Sequence, residues 1–78
     1  MVNLRLKKAI LEVVENQIRE NNPPETKKTL DRLLKAGYSK DDAMKLIGRA
    51  VAVEIYKVLK NEGPFNEAKY VKALRELQ

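Results

Sequence analysis

Two proline-containing strings, Asn21-Asn22-Pro23-Pro24 and Asn61-Glu62-Gly63-Pro64, interrupt a chain in which apolar residues otherwise recur every three or four positions. A residue that precedes proline is pushed out of the α region, so each string favours a break between helices. Gly37, followed by Tyr38-Ser39, marks a third break. A chain of 78 residues with three such breaks has room for short helices around one thin core. No segment alternates apolar and polar residues as a half-buried strand would. The expected fold is all-α, a small bundle of three to four helices, with residues 1–78 forming a single helical domain.

The spacing predicts helix one from Asn3 or Leu4 to Glu20, with Leu6, Ile10, Val13, Val14 and Ile18 inward and Leu4 and Leu11 widening that face. In the next segment proline suits the first helical position, and Glu25 the first turn, where the helix dipole favours a carboxylate. Leu30, Leu33 and Leu34 form its narrow stripe, and Gly37 suits the left-handed residue that closes a helix. Ser39 is expected to cap helix three, from Lys40 to about Asn61, with Asp41 and Asp42 in its first turn. Ala43, Ile47, Ala50, Val51 and Val58 line one side, flanked by Met44, Leu46, Ile55 and Leu59. An arc that wide predicts packing against more than one neighbour. Gly48, alone within this helix, predicts a close helix approach. Gly63 is expected to end helix three, and Asn66 to cap a short fourth helix facing inward with Tyr70, Val71, Leu74 and Leu77.

The chain has no cysteine and no histidine. That removes disulfides, thiolate and imidazole metal sites, cysteine nucleophiles, Ser-His-Asp arrangements and histidine acid–base chemistry. A core this small contributes only about 3–5 kcal/mol, which leaves helix packing or self-association to hold the fold. Lack of cysteine suits a cytoplasmic protein. The segment Met1–Lys8 lacks the apolar run and cleavage site of a signal peptide, and no stretch approaches the ~18 apolar residues of a membrane span. A soluble, cytoplasmic chain without a membrane segment is expected.

Net charge is +5, distributed as +1, +2, +1 and +1 over residues 1–21, 22–38, 39–63 and 64–78. Charge spread so evenly resembles a solvated surface more than a nucleic-acid stripe. Opposite charges four apart, such as Lys8/Glu12, Glu15/Arg19, Asp31/Lys35 and Asp41/Lys45, support exposed helix faces. Lys27, Lys28, Arg32 and Lys35 on helix two form the best anion-binding candidate, although Glu25 and Asp31 interrupt them. With one Phe, three Tyr and no Trp there is little aromatic surface for stacking on single strands.

Glu54 stands out because it falls near the centre of the Ala43/Ile47/Ala50/Val51 face. A carboxylate there must be paired, hydrogen-bonded or protonated. Gln17, Lys7 and Tyr70 are possible partners, and Glu15 borders the facing side of helix one, so Glu15, Gln17 and Glu54 are the buried polar candidates. As a pair, Glu15 and Glu54 could hold a hard cation or share a proton. As a network, they would fix how the helices dock, or face a partner at the edge of the core. The network is the preferred expectation, so no residue is assigned as catalytic or as a metal ligand, and no cofactor is expected.

Leu33 to Ser39, continuing into Ala43 and Ile47, outlines a helix-turn-helix, but Asp41 and Asp42 at the start of its second helix oppose a phosphate backbone. The Gly37-Tyr38 turn also resembles the ubiquitin-binding loop of ubiquitin-associated domains, whose short helices differ from a third helix this long.

The strings Val14-Glu15-Asn16-Gln17, Pro23-Pro24-Glu25, Arg32-Leu33, Gly37-Tyr38, Ala43, Ile47-Gly48, Glu54-Ile55 and Pro64-Phe65 resemble, in order and spacing, a family of short uncharacterised prokaryotic all-helical proteins catalogued as a domain of unknown function. The resemblance covers roughly residues 10–77 and implies an all-α fold without an established activity. Relatives with this pattern often carry histidines at positions that match Leu11 and Lys45 here, which argues against a shared metal site in this chain. The combined expectation is a non-catalytic interaction or homo-oligomerisation module, a homodimer or the companion of another protein, with no small-molecule substrate evident. Weak nucleic-acid binding through Lys27, Lys28, Arg32 and Lys35 is the first alternative, and an oxygen-ligand cation or acid–base site at Glu15 and Glu54 the second.

Overall fold

The computed structural model describes residues 4–77 and contains four helices: α1 (Leu4–Glu20), α2 (Pro24–Lys35), α3 (Lys40–Leu59) and α4 (Glu67–Glu76). The all-α bundle expected from the sequence is the fold. Asn3, a possible start of helix one, lies outside the described residues, as does the side chain of Leu4.

Three helices end in the same way. Asn21, Gly37 and Asn61 adopt positive φ of 53°, 103° and 59°. After α1, the amides of Asn21 and Asn22 donate to the carbonyls of Ile18 and Gln17. Gly37 and Tyr38 repeat the pattern on Leu34 and Leu33, and Asn61 and Glu62 repeat it on Val58 and Lys57. These paired bonds satisfy carbonyls that a helix end otherwise leaves without partners. Helix three therefore stops two residues before the expected Asn61, and Asn61 rather than Gly63 is its left-handed closing residue. Asparagine serves because its short polar side chain tolerates that conformation better than other non-glycine residues.

The helix starts follow the sequence closely. Pro24 opens α2 after a cis Asn22–Pro23 peptide, with Glu25 in the first turn. The Ser39 hydroxyl accepts from the Asp42 amide at 3.1 Å, and the Asn66 side chain accepts from the Lys69 amide at 3.0 Å.

Helices α2 and α3 each pack against every other helix, whereas α1 and α4 meet only through side chains. The core between them is built from Ile10 and Val14 of α1, Leu30 and Leu33 of α2, Ala43, Met44, Ile47, Ala50 and Val51 of α3, and Tyr70 and Leu74 of α4. Val71 and Leu77, expected inward, are half-buried, and Leu34 is exposed. Val58 shares the helical face of Val51 but is exposed, as is Leu59, because the last turn of α3 runs past the packed core. Gly48 faces α1, where an added Cβ would lie 3.4 Å from Ile10 Cγ2 and 3.9 Å from Leu11 Cδ2. The approach is close, yet it leaves room for one methyl group.

None of the expected pairs Lys8/Glu12, Glu15/Arg19, Asp31/Lys35 and Asp41/Lys45 closes to an ion pair; among the described residues the ion pair formed is Glu54–Lys57. Arg19 turns instead to the Asn16 side-chain oxygen. Exposed charges gain little from pairing over remaining hydrated, so those helix faces stay open.

Two substitutions test this account by denaturant unfolding. Gly48→Ala gains helix propensity without a clash and should raise stability by about 0.5–1 kcal/mol. Gly37→Ala forces a Cβ into the left-handed region and should lower it by about 1–2 kcal/mol.

Candidate functional site

The most connected polar cluster joins three helices at one oxygen. Gln17 of α1 presents Oε1 to the core, where it accepts from the Thr26 hydroxyl of α2 at 2.8 Å and from the Tyr70 hydroxyl of α4 at 2.7 Å. The two hydroxyls lie 3.1 Å apart, so two protons serve three oxygen–oxygen contacts. Thr26 is wholly buried and Tyr70 is 1% exposed. Phe65 packs edge-on against the Tyr70 ring, with centroids 5.7 Å apart. Burial pushes the Tyr70 phenol above its ordinary range, with the Thr26 hydrogen bond opposing that rise.

Glu54 forms a second cluster and is 3% exposed. One carboxylate oxygen accepts from Lys57 Nζ at 3.0 Å, and the other accepts from the Asn66 backbone amide at 3.0 Å. Asn66 is the N-cap of α4, so the carboxylate of α3 holds the residue that starts the next helix. The Lys57 hydrogen bond holds the Glu54 carboxyl below the usual carboxylate range against the opposing effect of burial, and the Asn66 amide adds to it. A recess of about 340 Å³ opens beside Glu54, lined by Lys57, Lys69 and the connection from Glu62 to Glu67.

The expected partnership of Glu54 with Gln17, Lys7 or Tyr70 is therefore corrected. Gln17 and Tyr70 bond to each other and to Thr26, while Glu54 turns toward Lys57 and the α3–α4 connection. Glu15, taken as a buried candidate, is exposed, and it takes no part in either cluster. One residue step on the helix, about 100°, carries a side chain from the half-buried border into solvent. Among the described residues no group of three or more His, Cys, Asp or Glu side chains is placed to hold a metal ion. What this arrangement does chemically is hold helices: every buried side-chain nitrogen and oxygen among the described residues has a hydrogen-bond partner.

Of the basic candidates, Lys28, Arg32 and Lys35 fall within about 60° of one another on α2, and Lys27 lies apart. Arg32 reaches across to α4, where its guanidinium donates to the Leu74 carbonyl at 2.8 Å and to the Leu77 carbonyl. It thereby caps the negative end of that helix. Lys27, Lys28 and Lys35 are exposed, but Lys27 lies about 140° around α2 from Arg32 at 100° per residue. The recess nearest to them, about 350 Å³, is lined by Lys28, Arg32 and Arg75 but also by Glu25 and Thr29. Of the two positions matched to histidines by resemblance, Leu11 packs beside Gly48 and Lys45 is exposed.

Thr26 is the site residue that sequence reasoning missed. It stands four residues before Leu30 and seven before Leu33, on the same stripe, and that register was the available signal.

Removing the Tyr70 hydroxyl in Tyr70→Phe should cost about 1–3 kcal/mol, since it leaves Gln17 and Thr26 short of a partner in the core. Glu54 gives a pH test. Its carboxyl titrates lower in the folded chain than its ordinary 4.5, so its stabilising effect is present above that value and fades as the pH falls through the lowered folded one. The stability gap between the native chain and Glu54→Gln should be widest near neutrality and shrink in acid, measured by chemical unfolding across that range. Compared with protein-family models, curated proteins and solved structures, the chain matches none.

Proposed function

We propose that this chain is a non-catalytic protein-interaction or self-association module, acting through the outer face of α3. The observation that carries the reading is the exposure of Val53, Tyr56 and Leu59, at 53%, 48% and 69%, on one side of the central helix. From Ala50 to Leu59 the only charged residues are Glu54 and Lys57, and they pair with each other. A helix apolar nearly all round is ordinarily buried on all sides. Here α1, α2 and α4 cover one side only. Contiguous apolar surface on a small folded chain marks a contact site for another molecule.

Glu54, Gln17, Thr26 and Tyr70 support the same reading, because they are hydrogen-bonded to one another, to Lys57 or to the backbone and act as scaffold. Membership of the family of short helical proteins, and a cytoplasmic location, are part of the same proposal. No helix among the described residues is long and apolar enough to cross a membrane.

The test compares the native chain with Leu59→Glu. Both should show the same helical circular dichroism and stabilities within about 0.5 kcal/mol, because the side chain is exposed. The native chain should bind a hydrophobic dye that the variant releases, and light scattering over a wide concentration range then reports whether a second copy covers the face. Identical dye binding by the two proteins would remove the reading.

A further inference from the structure

The outer face of α3 carries a charge pattern as well as an apolar stripe. Ala52, Val53, Tyr56 and Leu59 form the stripe. Lys45 and Arg49 precede it, and Lys60 follows it. At 100° per residue all seven fall within an arc of about 120°, and the span from Lys45 to Lys60 covers about 22 Å of helix. The three cations are exposed, and none forms an ion pair among the described residues. Within this span the one acidic residue, Glu54, is buried on the inner side and bound to Lys57 and Asn66. Beyond this span, exposed Asp41 and Asp42 fall on the same arc in the first turn of α3, and exposed Glu62 lies two residues after Lys60.

From this pattern we infer that the face docks an amphipathic helix of another protein, one whose apolar stripe is bordered by Asp and Glu. The inference rests on the interaction reading above and names its partner by chemistry. Exposed tyrosine beside aliphatic residues supplies the apolar anchor, since aromatic side chains dominate contact energetics. Free cations at both ends supply attraction and register toward acidic flanks. A second copy fits poorly. A two-fold contact centred on the stripe would bring Arg49 of one copy near Lys60 of the other, twice.

The experiment uses the full chain and two synthetic helical peptides with the same Leu/Ala stripe, one flanked by Glu and the other by Lys. Binding is followed by fluorescence anisotropy at low and high salt, beside vesicles of mixed phosphatidylglycerol and phosphatidylcholine and a light-scattering measurement of the chain alone. The Glu-flanked peptide should bind at least about tenfold more tightly at low salt, with the preference shrinking as salt rises. Arg49→Glu combined with Lys60→Glu should reverse the preference, and Leu59→Ser should weaken both peptides, with helicity unchanged in each variant. Equal affinity for the two peptides, or a preference that the charge reversal does not move, overturns the inference. So does binding to vesicles but to neither peptide. A dimer broken by Leu59→Ser, with no peptide bound, overturns this partner and keeps the interaction module. A monomer that binds no probe at all removes both.

Discussion

A single carbonyl oxygen, Gln17 Oε1, ties together the three helices that flank α3. It takes the hydroxyl protons of Thr26 and Tyr70, so α1, α2 and α4 meet at one point. Helices α1 and α4 have no close backbone packing of their own, and this hydrogen bond links them directly. Apolar packing is tolerant of small rotations, but a hydrogen-bonded cluster in a low-dielectric core is not. Moving any member leaves a buried polar atom without a partner. The cluster thus selects one arrangement from the several that these apolar faces would allow.

Helix α4 is the element least able to hold itself in place. It has ten residues and would be marginal in isolation. The rest of the molecule grips it at three places. The Glu54 carboxylate holds the amide of its N-cap, Gln17 and Thr26 hold the Tyr70 hydroxyl in its first turn, and Arg32 holds carbonyls at its end. Two of the groups that sequence chemistry marks as possible functional residues, Glu54 and Arg32, are committed to this task. Their charges serve the fold because the ends of a short helix present uncompensated amides and carbonyls that charged groups satisfy well.

With those groups engaged internally, the surface left over is distinctive. The inner side of α3 is filled by its three neighbours, and its outer side keeps an apolar stripe bracketed by free cations. In this chain one side stays uncovered, which is the physical basis of the proposed interaction role.

Helix number, helix starts and most inward residues were legible in the sequence, because they depend on local rules: apolar spacing, proline at a first position, Ser39 and Asn66 as caps, Gly37 as a left-handed stop. Even the third stop was nearly legible, and only the choice of Asn61 over Gly63 was lost, since two residues within three positions could both adopt positive φ. Burial of Glu54 also followed from its place on the helix. Its partners did not. Which polar atom meets which depends on helix rotation and offset to within an ångström or two, and apolar periodicity constrains neither that closely. Hence Glu54 turned to Asn66 and Lys57, Gln17 turned to Thr26 and Tyr70, Glu15 fell outside the core, and Arg32, still exposed, reached across to the end of α4. The sequence by itself determined the helices and their inward faces, because hydrogen bonding and burial along a helix are local. Only the tertiary structure decided the polar pairings and the exposed stripe, because both depend on where a neighbouring helix stops covering α3.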